Sequence, residues 1–500
     1  MKKLLILLTV LLALGTSCKK DFLSVNETNP NSASAVPANL VLTAALNTTS
    51  RIVTLPGNYS FIYFWHGCMS VSGGYSQPSS LIQYNLLNSS YQGDWNNSYL
   101  NLQNYDYIDK NSTTSKLQSF QAIAKIMKCY LFQYLVDTYG NVPYTEALKG
   151  SDANQILKPA YDEQQTIYED LVVQLDAAMA LIKSTPADAD QVGNYDIIYH
   201  GDMSLWLKFA NTLKLRLLVN QSDMTNRTTY ISGAIAATSA NGYLGAGEGA
   251  MLNPGFLQSA GKMNPFWEVF YKQDNSQQSD GLGYYVAGQD ACDFLNGNND
   301  PRKLRFFQAN TSGGTEVRGN YFGAIVLEPV PTTSKLGPGM LQAYNMDSPI
   351  LTDFESLFLQ AEAVQRGLMG GEAKALYESA VTQSIIYEGG PDGTAEAAAT
   401  FLADTTTTLV NFDRTLNKLK LIVTQKWCAL NGVSPMPIWT DYRRTGYPDF
   451  LHWTAQSDRK NDTPPIRLLY PQTEINTNND NVLAQGDIDP FTSKIFWQNR

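Results

Sequence analysis

The chain has 500 residues, of which 43% are hydrophobic and 11% aromatic, and this composition predicts a folded globular protein with a large core. Its formal net charge is −10, and removal of Lys2 and Lys3 with the leader described next gives −10 − 2 = −12. A chain this acidic argues against nucleic acid as a partner, because binding to phosphates requires a basic surface. It is compatible with neutral or polar ligands.

The chain begins with a leader over residues 1–17. Two lysines precede the apolar run Leu4–Leu14, and small residues follow that run directly before Cys18. This pattern is typical of a bacterial secretory signal, and the run is shorter than the roughly 20 residues that span a bilayer. The position of the cysteine predicts a lipoprotein signal, in which Cys18 is lipidated and becomes the first residue of the mature chain. An ordinary cleaved signal is the alternative.

A polar tether follows the leader. Residues 18–40 are rich in Asn, Ser and Pro, as in NETNPNS at 26–32. Such a segment predicts a lipidated N-terminal tether that leads into a first helix at about 41–54.

Loop-rich and helical segments then alternate along the chain. Residues 61–95 and 225–348 contain glycine and proline clusters and many aromatic residues, which is typical of a loop-rich surface. Residues at about 110–222 and 350–432 instead carry apolar residues at three- and four-residue spacing, which predicts amphipathic helices.

The helical segments are predicted to form a scaffold of helix pairs. The expected helices are 117–139, one that Pro159 opens, 202–221, 353–366, 372–387 and 412–430. Only GLMGG separates the fourth from the fifth, which predicts an antiparallel pair. The repeated helix–turn–helix units resemble tetratricopeptide architecture without a strict sequence period. The predicted fold is mostly α, a tetratricopeptide-like α–α superhelix with a loop-rich face and a few short β-strands.

The remaining cysteines show no spacing that indicates a metal site or a redox motif. They are Cys68, Cys129, Cys292 and Cys428. Four cysteines allow three pairings, among which the sequence does not choose. Because a core of this size does not need disulfides, we expect mostly unpaired, buried thiols.

Motifs for a metal, a cofactor or a catalytic site are not found. The three histidines, His66, His200 and His452, lie in no metal-binding spacing. The sequence GAGEGA at 245–250 lacks the strand and helix that a phosphate-binding loop requires. We therefore expect no metal, no cofactor and no enzymatic activity.

Two charged motifs leave a choice of interpretation. Glu355 and Glu362 lie seven residues apart on one predicted helix, where they could act as the paired carboxylates of a glycoside hydrolase. A polar helix flank is the favoured interpretation. The sequence DYRR at 441–444 could bind an anion, although a structural ion-pair network is favoured.

Aromatic residues of the loops are the strongest candidates for ligand binding. Flat rings stack on the apolar faces of sugars or on apolar peptide side chains, whereas a helical stripe of rings usually belongs to the core. The candidates are Trp65, Tyr75, Tyr91, Trp95, Trp267, Tyr271 and Tyr284. We expect a minority of the loop rings to contact ligand, and the others to pack.

A series of segments carries a family resemblance. These segments are CKKDFL at 18–23, NPN at 29–31, LVDTYGNVPY at 135–144, WLKFANTLKLR at 206–216, FLQAEA at 358–363, QKW at 425–427, DYRRTGYP at 441–448 and RLLYP at 467–471. In their order and spacing they resemble the SusD/RagB family of outer-membrane nutrient-binding lipoproteins of Bacteroidetes, in particular its SusD-like branch. The resemblance covers essentially the whole chain.

The resemblance implies a single SusD-like domain over residues 41–500. It implies a cell-surface protein that is anchored to the outer membrane through lipidated Cys18 and that sits on a SusC-type TonB-dependent transporter. The helical scaffold would face the transporter. The motifs quoted above are structural in this family and its ligand residues vary, so the aromatic candidates rest on position and chemistry alone.

The expected function is therefore glycan uptake, in which the protein binds an oligosaccharide and delivers it to the transporter without breaking a bond. A peptide-binding lipoprotein of the same type is one alternative. A surface hydrolase is the other.

Overall fold

The computed structural model describes residues 36–54, 58–278, 281–310 and 314–499. The predicted leader, Cys18 and the tether up to residue 35 lie outside the described residues. Within the described part, nineteen helices surround a core that also contains three short strand pairs. None of these helices combines the length and the apolar character that crossing a bilayer requires.

The helices are numbered in chain order. The first ten are α1 (Ala38–Thr54), α2 (Ser60–Trp65), α3 (Ser79–Ile82), α4 (Gln92–Asn111), α5 (Gln118–Tyr139), α6 (Gln164–Ser184), α7 (Met203–Asn220), α8 (Thr228–Thr238), α9 (Pro265–Phe270) and α10 (Gly281–Tyr284). The other nine are α11 (Gln289–Gly297), α12 (Lys303–Phe306), α13 (Asp353–Gln365), α14 (Ala373–Glu388), α15 (Ala395–Ala403), α16 (Lys418–Ala429), α17 (Pro435–Thr445), α18 (Gln472–Thr477) and α19 (Asn479–Leu483).

The longest helices pack as consecutive pairs. Helices α4, α5, α6 and α7 each contact the next one along the chain, and α13 packs on α14. The mostly helical fold with helix pairs is therefore confirmed, and the predicted pair at 353–366 and 372–387 is present. The core lies on the facing apolar stripes of these helices, as helix pairing requires.

Several helices begin at other residues than predicted or extend the predicted helical segments. Helix α6 begins at Gln164, not at Pro159, because residues 161–162 form a strand and the Glu163 side chain caps the helix by accepting from the Thr166 amide at 3.0 Å. Helix α4 extends the first scaffold segment back to Gln92, and α17 extends the second beyond residue 432.

Three two-stranded antiparallel ladders join distant parts of the chain. β1 (Met69–Val71) pairs with β5 (Tyr285–Ala287), β2 (Val142–Pro143) with β3 (Tyr161–Asp162), and β4 (Ala250–Leu252) with β6 (Ser348–Leu351). The β1–β5 ladder has Val71 opposite Tyr285 and Met69 opposite Ala287. It connects the two loop-rich segments and so fixes their aromatic residues relative to one another.

Buried ion pairs lock the scaffold helices together, and we call these pairs the ion-pair network. Arg444 of α17 bonds both carboxylate oxygens of Glu362 on α13, at 2.6 and 2.5 Å, and also bonds Asp441 at 2.9 Å. Lys426 of α16 lies 3.0 Å from the other oxygen of Asp441. All four side chains are at most 6% exposed. The structural interpretation of the DYRR motif is therefore confirmed.

The four described cysteines are free and buried, which confirms the predicted unpaired thiols. Burial raises the pKa of each of them, that of Cys129 to about 12. Thiols with raised pKa values form little thiolate at neutral pH, so these cysteines are packing residues.

Candidate ligand-binding site

Tyrosine side chains from both loop-rich segments meet beside the β1–β5 ladder. The Tyr75 and Tyr284 rings contact edge to face, with centroids 5.6 Å apart and planes at 88°. Tyr285 adds a third ring, 4.9 Å from Tyr284 and at 80° to it. Tyr75 is 38% exposed, and Tyr284 and Tyr285 are half-buried. The three rings therefore present differently oriented surfaces to solvent.

Tyr91 completes this group, which we call the tyrosine cluster (Tyr75, Tyr91, Tyr284 and Tyr285). Burial, with smaller contributions from the nearby Asp94, Tyr285 and Tyr284, raises the pKa of Tyr91 to about 12 against the effect of a hydrogen bond with Ser60. The Tyr91 ring is half-buried and packs on Phe61 with centroids 4.7 Å apart. Its hydroxyl therefore stays protonated at neutral pH and can donate or accept a hydrogen bond.

Backbone contacts hold the cluster in place. The Ser72 amide donates to the Tyr284 carbonyl at 2.9 Å, directly beside the end of β1. A Cβ atom at Gly283 would lie 2.6 Å from the Tyr75 hydroxyl, so only glycine allows the Tyr75 ring to approach this closely. The backbone of residues 72 and 283–284 thus sets where the Tyr75 and Tyr284 rings lie.

A second ring pair on α9 lies next to the cluster. The side chain of Asn264 caps α9 by accepting from the amides of Phe266 and Trp267, and Pro265 occupies the first turn, as this position favours. Trp267 and Tyr271 stack with centroids 4.2 Å apart and planes at 16°. Trp267 is only 9% exposed and packs in the core, and its enclosed indole N–H has no hydrogen-bond partner among the described residues.

Phe270 links the two ring groups. Its ring lies 5.6 Å from that of Tyr285, and α9 contacts α10. The tyrosine cluster and the neighbouring rings of α9 and Tyr271, which we call the aromatic region, therefore include five of the seven predicted candidates: Tyr75, Tyr91, Tyr284, Trp267 and Tyr271.

Trp65 does not belong to this surface. It is 2% exposed, its indole N–H donates to the Leu81 carbonyl at 3.2 Å, and its ring packs against Phe61 and Tyr84. Trp65 ends α2, a helix whose residues are all buried, so its ring belongs to the core.

Trp95 is also a packing residue. It lies on α4 rather than in a loop, is 3% exposed, and contacts Tyr139 edge to face at 4.9 Å. It borders a cleft of about 500 Å³ between α4 and the segment 143–159, which belongs to the helical scaffold. Trp65 and Trp95, both predicted to bind ligand, are thus buried and lie outside the tyrosine cluster, because a single sequence does not reveal which rings a long-range contact covers.

Tyr285 is a ring of the cluster that sequence reasoning did not select. The available signal was its place beside Tyr284 in a short run of apolar and aromatic residues, YYVA at 284–287, which is typical of a strand.

The two glutamates considered for hydrolysis take part in buried ion pairs of the scaffold. Glu355 is 0% exposed and pairs with Arg216 at 3.1 Å. Arg444, together with Arg366 and Lys426, holds the pKa of Glu362 down at about 2 against the effect of burial. A carboxyl that stays ionised in an ion pair does not serve as a general acid. Among the described residues, no group of three or more His, Cys, Asp or Glu side chains is arranged to hold a metal ion.

Comparison with known proteins gives a consistent family. A SusD-like family model, described as starch-binding and associating with the outer membrane, matches residues 30–471. No curated protein sequence matches the chain.

Solved structures share the fold over most of the chain. A SusD-like protein from Bacteroides thetaiotaomicron is 25% identical with a TM-score of 0.71, and the match covers 90% of this chain and 95% of that one. A chitin-binding SusD homolog from Flavobacterium johnsoniae is 22% identical with a TM-score of 0.74, covering 91% and 98%. A further chitin-binding protein is 24% identical with a TM-score of 0.73, covering 92% and 100%.

Proposed function

Since the chain belongs to the SusD-like family of starch-binding proteins that associate with the outer membrane, we propose that it is a lipid-anchored surface receptor for an oligosaccharide. It binds the saccharide without cleaving it and delivers it to a SusC-type TonB-dependent transporter.

The tyrosine cluster is the observation that carries this proposal. The rings of Tyr75, Tyr284 and Tyr285 meet at steep angles, so that a saccharide chain can stack one sugar on one ring and place hydroxyls near the next. Burial raises the pKa of Tyr91 and of Tyr285 to about 12, so both phenols remain neutral donors. This combination of apolar faces and neutral hydroxyls suits an uncharged polyhydroxylated ligand.

Relatives and charge support a neutral glycan as the ligand. Two proteins of similar fold are described as chitin-binding, and the family description names starch. The net charge of −10 disfavours acidic saccharides through long-range repulsion. The ligand proposed here is thus a neutral oligosaccharide of glucose or N-acetylglucosamine units.

The membrane anchor and the transporter complete the proposal. The leader and Cys18 support lipidation, because the cysteine follows the small residues directly. Metabolic labelling with a fatty acid should mark the wild-type chain but not Cys18→Ser, which should be released from the outer membrane. Co-purification of a TonB-dependent transporter with the wild-type chain would test the partner.

Calorimetry against a small panel tests the ligand class. The full-length chain is titrated with maltohexaose, chitohexaose and a neutral hexapeptide, and the saccharide samples are assayed for new reducing ends. We expect binding of at least one hexaose with no cleavage. Binding of the peptide alone would favour the peptide-binding alternative, and new reducing ends would establish a hydrolase.

A further inference from the structure

A cavity separate from the tyrosine cluster lies at the opposite end of β5 from Tyr284. It has a volume of about 280 Å³ and is bordered by α11, by the loop near residue 408 and by residues 450 and 452. Helix α11 follows β5 after a single residue, whereas the tyrosine cluster lies at the start of that strand. The cavity is therefore separate from the cluster but fixed to the same ladder.

One wall of the cavity is aromatic. Phe294 and Phe450 lie nearly parallel, with centroids 5.9 Å apart and planes at 17°. Trp427 contacts both edge to face, at 5.7 and 5.5 Å, and its indole N–H donates to the His66 carbonyl at 2.9 Å. The wall is thus a supported apolar surface of the kind on which a sugar ring stacks.

An unpartnered acceptor borders the same space. Asn298 is 6% exposed, and its amide nitrogen donates to the Phe294 carbonyl at 2.8 Å. Its Oδ1 is enclosed and has no hydrogen-bond partner among the described residues. Because Asn298 also lines the cavity, this atom is an acceptor that a hydroxyl donor of a ligand would satisfy.

The rim on the opposite side is held in position by carboxylates. His452 Nδ1 lies 2.6 Å from Asp290 Oδ1, and the Tyr321 ring packs on the imidazole with centroids 4.2 Å apart. The Tyr321 hydroxyl donates to Asp293 at 2.8 Å. Because Nδ1 is engaged with Asp290, Nε2 is the ring nitrogen left for a ligand, and the side chain is 57% exposed.

We propose that this cavity binds a single neutral sugar unit as a second saccharide subsite, an inference that rests on the proposed function. Its volume is just below the range of pockets that hold drug-sized ligands, which leaves room for one sugar ring and not for a chain. Asp293, Asn298 and Thr408 line it, and each of these side chains carries an acceptor oxygen that suits a ligand rich in hydroxyl donors. The carboxylates of Asp290 and Asp293 select against acidic sugars.

Ligand-observed NMR on the full-length chain tests the subsite with methyl α-glucoside and methyl N-acetyl-β-glucosaminide as probes. In Tyr284→Ala, which weakens the tyrosine cluster, at least one probe should still bind. Adding Asn298→Leu should weaken that remaining binding about tenfold, because it removes the acceptor while keeping the volume. Glucuronic acid should bind more weakly than either probe.

A pair of loop variants provides a control that does not depend on the buried asparagine. Thr408 borders the cavity, whereas Thr405 is exposed on the same loop outside it. We expect Thr408→Val to weaken the binding of the probe that persists in Tyr284→Ala, and Thr405→Val to leave it unchanged. If Asn298→Leu fails to fold by circular dichroism, this pair decides.

The outcomes separate the two proposals. Loss of all probe binding in Tyr284→Ala, or binding of a hexaose without binding of either probe, would overturn the second subsite and leave the proposed function intact. Failure of the wild-type chain to bind any probe or hexaose would overturn the proposed function and the subsite with it.

Discussion

The ion-pair network of the scaffold and the tyrosine cluster of the loops are built in opposite ways. Glu362, Asp441 and Arg444 form a closed set in which each charge has a buried partner. The cluster instead leaves ring surface exposed, as at Tyr75, and holds it in place through backbone contacts. The first arrangement fixes how helices pack, and the second leaves surface free for a ligand.

The family-like segments belong to the first arrangement. FLQAEA at 358–363 and DYRR at 441–444 supply the charged partners of the network, and WLKFANTLKLR at 206–216 supplies Arg216 for Glu355. The tyrosine cluster draws on no such segment. Family membership thus specifies the scaffold, whereas the ligand depends on residues that the shared motifs do not include.

Breaking the ion-pair network should give the largest effect on stability. Arg444→Met leaves the carboxylates of Glu362 and Asp441 buried without their main partner, so the free energy of unfolding should fall by about 3 to 5 kcal/mol. Chemical denaturation of Arg444→Met and the wild type measures this difference in the free energy of unfolding. The control is Lys374→Met, since Lys374 pairs with Asp413 on the surface and its replacement should leave the free energy of unfolding nearly unchanged. Similar losses in both variants would contradict the distinction.

Removing the buried ring that was predicted to bind ligand should act on the fold instead. Trp65→Ala creates a cavity among Phe61 and Tyr84 and should lower the free energy of unfolding by about 3 to 4 kcal/mol. The matched change Tyr75→Ala should cost less than about 1 kcal/mol, because Tyr75 is partly exposed. Thermal unfolding of both variants checks this difference. An unchanged melting temperature in Trp65→Ala would contradict the packing role of Trp65.

Asp94, at the start of α4 beside Tyr91, should link the stability of the fold to pH. It is 2% exposed, its Oδ2 accepts from the Tyr59 amide at 3.4 Å, and burial raises its pKa to about 8. A carboxyl whose pKa is raised on folding contributes stability that is fully present below about pH 4 and is lost as the pH rises through about 8. Burial raises the pKa of Glu388 to about 8 in the same way.

The test is the pH dependence of unfolding for Asp94→Asn. Between pH 5 and 9 the free energy of unfolding should fall in both proteins, because Glu388 titrates in both. The fall should be about 2 kcal/mol smaller in the variant, a difference that relaxation keeps below the full cost of a buried charge. Identical pH profiles would show that Asp94 does not titrate in this range.

Single changes in the tyrosine cluster should affect binding with the smallest effect on stability. Tyr284→Ala should weaken saccharide binding about tenfold, or about 1.4 kcal/mol, because one stacking surface is lost. The control is Tyr195→Ala, since Tyr195 is 40% exposed but lies outside the aromatic region. Calorimetry with the preferred hexaose compares them. Equal affinities would exclude Tyr284 from the site.

The sequence predicts the scaffold well where apolar spacing is regular. Helix α5 and the pair α13–α14 follow the expected boundaries closely because Gly140 and the GLMGG turn end their patterns. Helix α4 was missed because Asn, Gln, Asp and Ser interrupt its apolar stripe, and α17 was missed because Pro435 and Pro437 suggest a loop although the first turn accepts proline.

The candidate site is only partly predictable for a different reason. Loop position and ring chemistry selected Tyr75 and Tyr284 as candidates. Their contact depends on the pairing of β1 with β5, which the sequences of such short strands do not predict. The same long-range contacts cover Trp65 and expose parts of Tyr285. Burial of an individual ring is decided by the tertiary fold, which residue type alone does not specify.

The most direct test is calorimetry of Tyr75→Ala/Tyr284→Ala against maltohexaose and chitohexaose beside the wild-type chain. The wild type should bind at least one hexaose and release no reducing ends, and the double variant should lose at least about tenfold in affinity while it keeps its melting temperature. Undiminished affinity in a folded double variant, or turnover of the saccharide by the wild type, would contradict a receptor that holds its ligand on the tyrosine cluster.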